Sequence, residues 1–76
     1  MYLHHTPTTT DGFLAASSII HASDINVDNG ELVAISTFKR RDVAAGDSLM
    51  HKKVLYIVSL VQQHTKRTQI VAREAK

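Results

Sequence analysis

Gly46-Asp47-Ser48-Leu49 sets a carboxylate beside a hydroxyl in the middle of the chain, with His51 three residues beyond Ser48. Ser, Asp and His are the residue types of nucleophilic catalysis, which needs a base within hydrogen-bond reach of the hydroxyl and fixed donors for the oxyanion. Asp47 and His51 are four residues apart and would face each other only on a helix. A Gly-Asp step instead suits a turn entering a strand, because Asp can accept from nearby amides. The expectation is a polar turn at a strand start, with no catalytic residue. His4, His5, His21, His51 and His64 are scattered, with no Cys in the chain. They show neither the helical i, i+4 pair nor the interleaved carboxylates of a zinc site, so no metal is expected. Gly12, Gly30 and Gly46 are isolated and make no phosphate loop. No cofactor and no small-molecule substrate are expected.

Charge offers a second kind of chemistry. Residues 1–38 contain no Lys or Arg and four acids, whereas residues 39–76 hold all nine bases and three acids. Such polarity suits a protein partner, self-association of complementary halves, or a nucleic acid on the basic half. The candidate partner-binding residues are Lys39, Arg40, Arg41, Lys52, Lys53, Lys66 and Arg67, which fall at strand ends and could converge on one rim. Nucleic-acid modules usually add aromatic platforms. Phe38 and Tyr56 lie in apolar surroundings that suggest core.

These residues must be positioned by a small domain. The chain has 76 residues, 43% of them hydrophobic. A domain of that size buries only about 60% of its unfolded surface, so it gains from docking onto a partner. No apolar run approaches the roughly 18 residues of a membrane span, and MYLHHTPTTT lacks the features of a signal peptide. A soluble cytoplasmic or virion protein with no membrane contact is expected.

Residues 1–12 are polar, contain Pro7 and the run Thr8-Thr9-Thr10, and read as a flexible arm ending near Asp11-Gly12. Tyr2, His4, His5 and Pro7 are its candidate assembly contacts. Residues 13–76 then form one domain with its core starting at Phe13. Ile19, Ile20, Ile25 and Val27 favour strand, although a short helix is open for Phe13 to Ala22. Asp28-Asn29-Gly30 predicts a tight hairpin between Asp24–Val27 and Glu31–Phe38, since Asn and Gly tolerate positive φ. Leu32, Ala34, Ser36 and Phe38 share one face of the second strand. Lys53 to Gln63 fits a buried strand or a helix by period, and Val54, Tyr56, Ile57, Val58 and Val61 tip it to strand. The polar stretch from Gln63 to Arg67 then turns into Thr68–Ala72. The fold expected is mostly β, a small barrel or sandwich of about five antiparallel strands.

Two resemblances bear on this reading. Gly46-Asp47-Ser48-Leu49 resembles the block that names the GDSL lipases and esterases, but that family spreads its base and oxyanion donors over a much longer α/β chain, and its Asp-x-x-His spacing is absent here. From about Val27 to Arg73 the pieces DNGELVAISTF, RRDVAAGDSL, KVLYIVSLVQQ and TQIVAREA resemble the small β-rich head-tail joining proteins of tailed phages. The chain departs from that family in being shorter and in lacking a clear N-terminal helix. The resemblance implies a non-enzymatic virion part that assembles in a ring, and heterologous contacts close rings when the rotation allows. A structural or assembly protein acting through protein-protein contacts is therefore expected, with a nucleic-acid-binding β-barrel using a basic rim as the alternative.

Overall fold

A computed structural model describes residues 1–8 and 17–75. They form β1 (Tyr2–Thr6), β2 (Ser18–Asp28), β3 (Glu31–Ser36), β4 (Ser48–His51), β5 (Val54–Gln63) and β6 (Thr68–Glu74). All neighbours are antiparallel, and the order β1-β2-β3-β6-β5-β4 closes through β1 against β4 into a six-stranded barrel. The expected β-rich barrel is thus observed, and of the segment Lys53–Gln63 the part from Val54 on is strand. Phe13 and Asp11-Gly12 lie outside the described residues.

Closure leaves no free sheet edge for these small strands. Two strands are long because each serves two neighbours around a corner. β2 pairs first with β1 and then with β3, and β5 pairs first with β4 and then with β6. Each bends at a register shift, between Ala22 and Asp24 in β2 and between Val58 and Leu60 in β5. A bulge of this kind inserts one residue and increases the local twist. The inserted residue is a serine in both cases. Ser23 donates to the Ile35 carbonyl at 3.2 Å and Ser59 to the Val71 carbonyl at 3.1 Å.

Inward positions alternate along every strand, as a half-buried strand requires. Leu3, Ile20, Leu32, Ala34, Leu49, Tyr56, Val58, Ile70 and Ala72 fill the interior, and Val43 joins them from the β3–β4 connection. The beginning of the chain is therefore not an arm. Tyr2–Thr6 is a barrel strand with Leu3 and His5 fully buried, and the assembly contacts expected there divide. Tyr2 and His4 point outward, His5 points in, and Pro7 is half-buried. The polar sequence YLHHT concealed a strand because its inward histidine has its partner 42 residues away, at Asp47.

Phe38 requires the second correction. The sequence sets it on one face with Leu32, Ala34 and Ser36 in surroundings that suggest core, but β3 ends at Ser36 and Phe38 is 72% exposed. The Ser36 hydroxyl donates to the Phe38 carbonyl and accepts from the Thr68 amide at 3.0 Å, which turns the chain off the sheet before the alternation can continue.

Candidate interaction surfaces

The turns decide which charges share an end of the barrel. β5 runs from Val54, beside the Lys52-Lys53 turn, to Gln63, beside the turn that holds Lys66 and Arg67. Those two basic pairs consequently cap opposite ends. The β2–β3 turn belongs with Lys52 and Lys53, because the Glu74 amide donates to the Gly30 carbonyl at 2.7 Å and the Ala75 amide to Leu55 at 2.9 Å. Lys39 to Arg41 belongs with Lys66 and Arg67. The Arg40 amide donates to Thr68 Oγ1 at 2.8 Å, and Gln63 Nε2 donates to the Arg40 carbonyl at 2.8 Å. The single basic rim expected from the sequence is thus split.

Arg40 does not serve as a free cation. Its Nε and Nη2 donate to both oxygens of Asp42 at 2.9 and 2.7 Å, Nη1 donates to the Ile19 carbonyl at 3.1 Å, and Nη2 also reaches Ser18 Oγ at 3.2 Å. The hydrogen bond from Arg40 holds the Asp42 carboxyl down at about 2, and the same bond raises Arg40 above its ordinary value. This pair ties the β3–β4 connection onto β2. Lys39, Arg41, Lys66 and Arg67 remain exposed at that end.

Below it lies a buried polar tie. His5 Nε2 is 2.8 Å from Asp47 Oδ2, and the Asp47 carboxylate also accepts from the Thr8 amide at 2.9 Å and the Ala44 amide at 2.9 Å. Burial pushes the Asp47 carboxyl up, but those two amides and the His5 ring outweigh it and hold the group below the ordinary carboxylate value. An ionised carboxylate only accepts, so the proton on Nε2 belongs to His5. Nδ1 faces Ser18 Oγ at 3.5 Å. Serine, histidine and aspartate therefore stand in line, yet His5 is fully buried and Ser18 Oγ already receives Arg40, which is the arrangement of a structural tie. Ser48 points outward beside Thr6 and Ile57, about 10 Å along β4 from His51. Among the described residues no group of three metal-ligating side chains is placed to hold an ion.

From mid-barrel toward the opposite end the outer wall is apolar. Ile19, His4, Met50 and Leu55 stand side by side across β2, β1, β4 and β5. Ile19 is 49%, Met50 39% and Leu55 40% exposed, and Ile57 and Tyr2 adjoin them. Tyr2 also meets His21 edge-on, with ring centroids 5.0 Å apart. An open cleft of about 560 Å³ lies here between Tyr2, His4, Met50, His51, Lys52 and Lys53. Its two lysines are held at φ 50° and 67°, whereas the β2–β3 turn uses Asn29 and Gly30 at φ 51° and 76°. Both are the mirror-image turn that suits a two-residue hairpin, and it favours Asn-Gly over lysine.

Sequence reasoning missed this cleft and the hairpin that builds it. His51-Lys52-Lys53-Val54 contains no Gly, Asn or Asp to announce a turn; the available signal was a two-residue polar break between apolar runs. Comparison with known proteins finds no matching family model, curated protein or solved structure.

Proposed function

We propose that this chain is a non-enzymatic assembly protein that pairs with a second copy of itself through the end of the barrel bearing Lys52 and Lys53. The observation that carries the reading is the lysine pair in left-handed backbone at the lip of an apolar cleft. Such backbone costs a non-glycine residue roughly 1 kcal/mol or more, a local penalty that makes sense where the side chains have work to do.

The occupant fits from the same end. Val27 is 47% exposed near the tip of the β2–β3 hairpin on the face of its partner Leu32, while Asp28 and Glu31 pair on the other face, Glu31 within 3.6 Å of Arg73, and Glu74 lies beside Gly30. A hairpin tip that carries Asp28, Glu31 and Glu74 complements a cleft flanked by the ammonium groups of Lys52 and Lys53. Tip and cleft sit at one end on different hairpins, so a two-fold axis lets each copy give its tip and receive its partner's. Tyr2, Ile19, Met50, Leu55 and Ile57 together expose on the order of 400 Å² of apolar surface, within the range in which a monomer's largest patch is often functional. That is about half of the roughly 800 Å² per partner in a standard interface, the remainder being polar rim.

A place in a phage particle, which the family resemblance implies, is a separate and wider proposal, since the ring it implies needs heterologous contacts and this pairing is two-fold. Sedimentation velocity at several concentrations tests the pairing. The chain is expected to form a discrete dimer, and Lys52→Glu with Lys53→Glu to leave a folded monomer. A native chain that stays monomeric throughout contradicts the reading.

A further inference from the structure

The other end of the barrel carries a different chemistry. His64, Lys66 and Arg67 project from the β5–β6 hairpin, and the Arg40–Thr68 and Ser36–Thr68 hydrogen bonds bring Phe38, Lys39 and Arg41 alongside. Five of the nine Lys and Arg residues of the chain gather here. Among the described residues the acids near this end are Asp42, neutralised by Arg40, Asp47, buried against His5, and the exposed Asp24, opposite Ile35 on β2. The exposed Lys39, Arg41, Lys66 and Arg67 outnumber Asp24, so the net field at this end is cationic.

Cations alone would suit any anion, but two apolar features narrow the choice. Phe38 is 72% exposed and offers an aromatic face to solvent at this end. An open cleft of about 520 Å³ is lined by Ile35, His64, Thr65, Lys66, Arg67 and Gln69. Its floor is the outward face of β3 and β6, where the Ile35 side chain stands opposite the Gln69 amide. A flat apolar surface, an amide that both donates and accepts, and flanking cations match the base and phosphate of a nucleotide unit. A stacking ring is useful only to a base that is not already stacked in a duplex. We infer that the end of the barrel formed by Phe38, Lys39, Arg41, Lys66 and Arg67 binds single-stranded nucleic acid without sequence preference. This site is separate from the self-association face and does not depend on it.

Fluorescence anisotropy with a labelled mixed-sequence oligonucleotide of eight nucleotides, short enough for one end, tests the inference on the full chain. Binding through three or four phosphates should weaken about 20- to 50-fold between 50 and 200 mM salt. Lys66→Glu with Arg67→Glu should abolish binding while the circular dichroism spectrum stays unchanged, since both side chains are exposed in a turn. Phe38→Ala should weaken binding about tenfold with no loss of melting temperature. Lys52→Glu with Lys53→Glu, at the far end, should leave the affinity for this short strand within twofold. The inference is overturned if the native chain does not bind at 50 mM salt, if Phe38→Ala binds as well as the native chain, or if a duplex of the same sequence binds more tightly.

Discussion

His5 Nε2 and Asp47 Oδ2 lie 2.8 Å apart in the barrel interior and join the first strand of the chain to the turn that opens β4. Both residues are buried, at 0% and 3% exposure. Because Asp47 also binds the amides of Thr8 and Ala44, one carboxylate fastens its own turn to the start of the chain, 39 and 42 residues away at Thr8 and His5. Gly46-Asp47-Ser48-Leu49 thus supplies the joint at which β4 opens beside β1.

Removing that carboxylate should be costly. Asp47→Ala leaves two amides and a ring N–H without an acceptor in a buried setting, and each such orphan costs about 1–3 kcal/mol. A loss of about 3–5 kcal/mol is expected, read as a fall in the urea midpoint, whereas Ser48→Ala on the outer face should change stability by less than about 0.5 kcal/mol.

Acid should weaken the fold through the same group and through Asp42. Both carboxyls titrate lower in the folded chain than the roughly 3.9 of an unfolded Asp, so the unfolded chain takes up protons first. Their stabilisation is present above about pH 4 and is lost as the pH falls toward the folded Asp42 value of about 2. Urea midpoints should drop steadily from pH 5 to pH 2, and Asp47→Asn should show a shallower drop, starting from a lower midpoint.

The chain start offers a sharp contrast between an arm and a strand. Deleting residues 1–8 removes β1, with fully buried Leu3 and His5, and opens the barrel between β2 and β4. Loss of folding by circular dichroism is expected, and Leu3→Ala alone should cost about 2–5 kcal/mol. A truncated chain that folds normally and fails only to associate would restore the arm.

Local chemistry was legible and long-range pairing was not. Asn29-Gly30 announced its hairpin, Gly46-Asp47 its turn, and the β-branched run of β5 its strand. The inward place of His5 depended on Asp47, and the exposure of Phe38 depended on Ser36 capping its carbonyl while holding Thr68; neither contact leaves a periodic trace. Seven of the nine basic residues stand out in the sequence as clusters, but only the order of the hairpins divides Lys52 and Lys53 from Lys66 and Arg67. Arg40 reads as one more cation in Lys39-Arg40-Arg41, though Asp42, two residues on, is its partner.

The Lys52-Lys53 turn sets stability against assembly. Replacing it by Asn-Gly, the pair used at positions 29 and 30, relaxes two positive-φ lysines, so Lys52→Asn with Lys53→Gly should raise stability by about 1–2 kcal/mol. The same change removes both ammonium groups and should abolish the dimer. A variant that is more stable and associates as well as the native chain would show that the lysines have no part in the contact.

The most direct measurement of the central claim is a charge exchange followed by sedimentation velocity. One variant carries Lys52→Glu with Lys53→Glu, and the other carries Asp28→Lys with Glu31→Lys. Each alone brings like charges together across the two-fold contact and should sediment as a monomer, while their equimolar mixture matches glutamates with lysines in both halves of the interface and should restore a discrete dimer. A mixture that stays monomeric, or that builds an open concentration-dependent ladder of larger species, would contradict the two-fold pairing of tip and cleft.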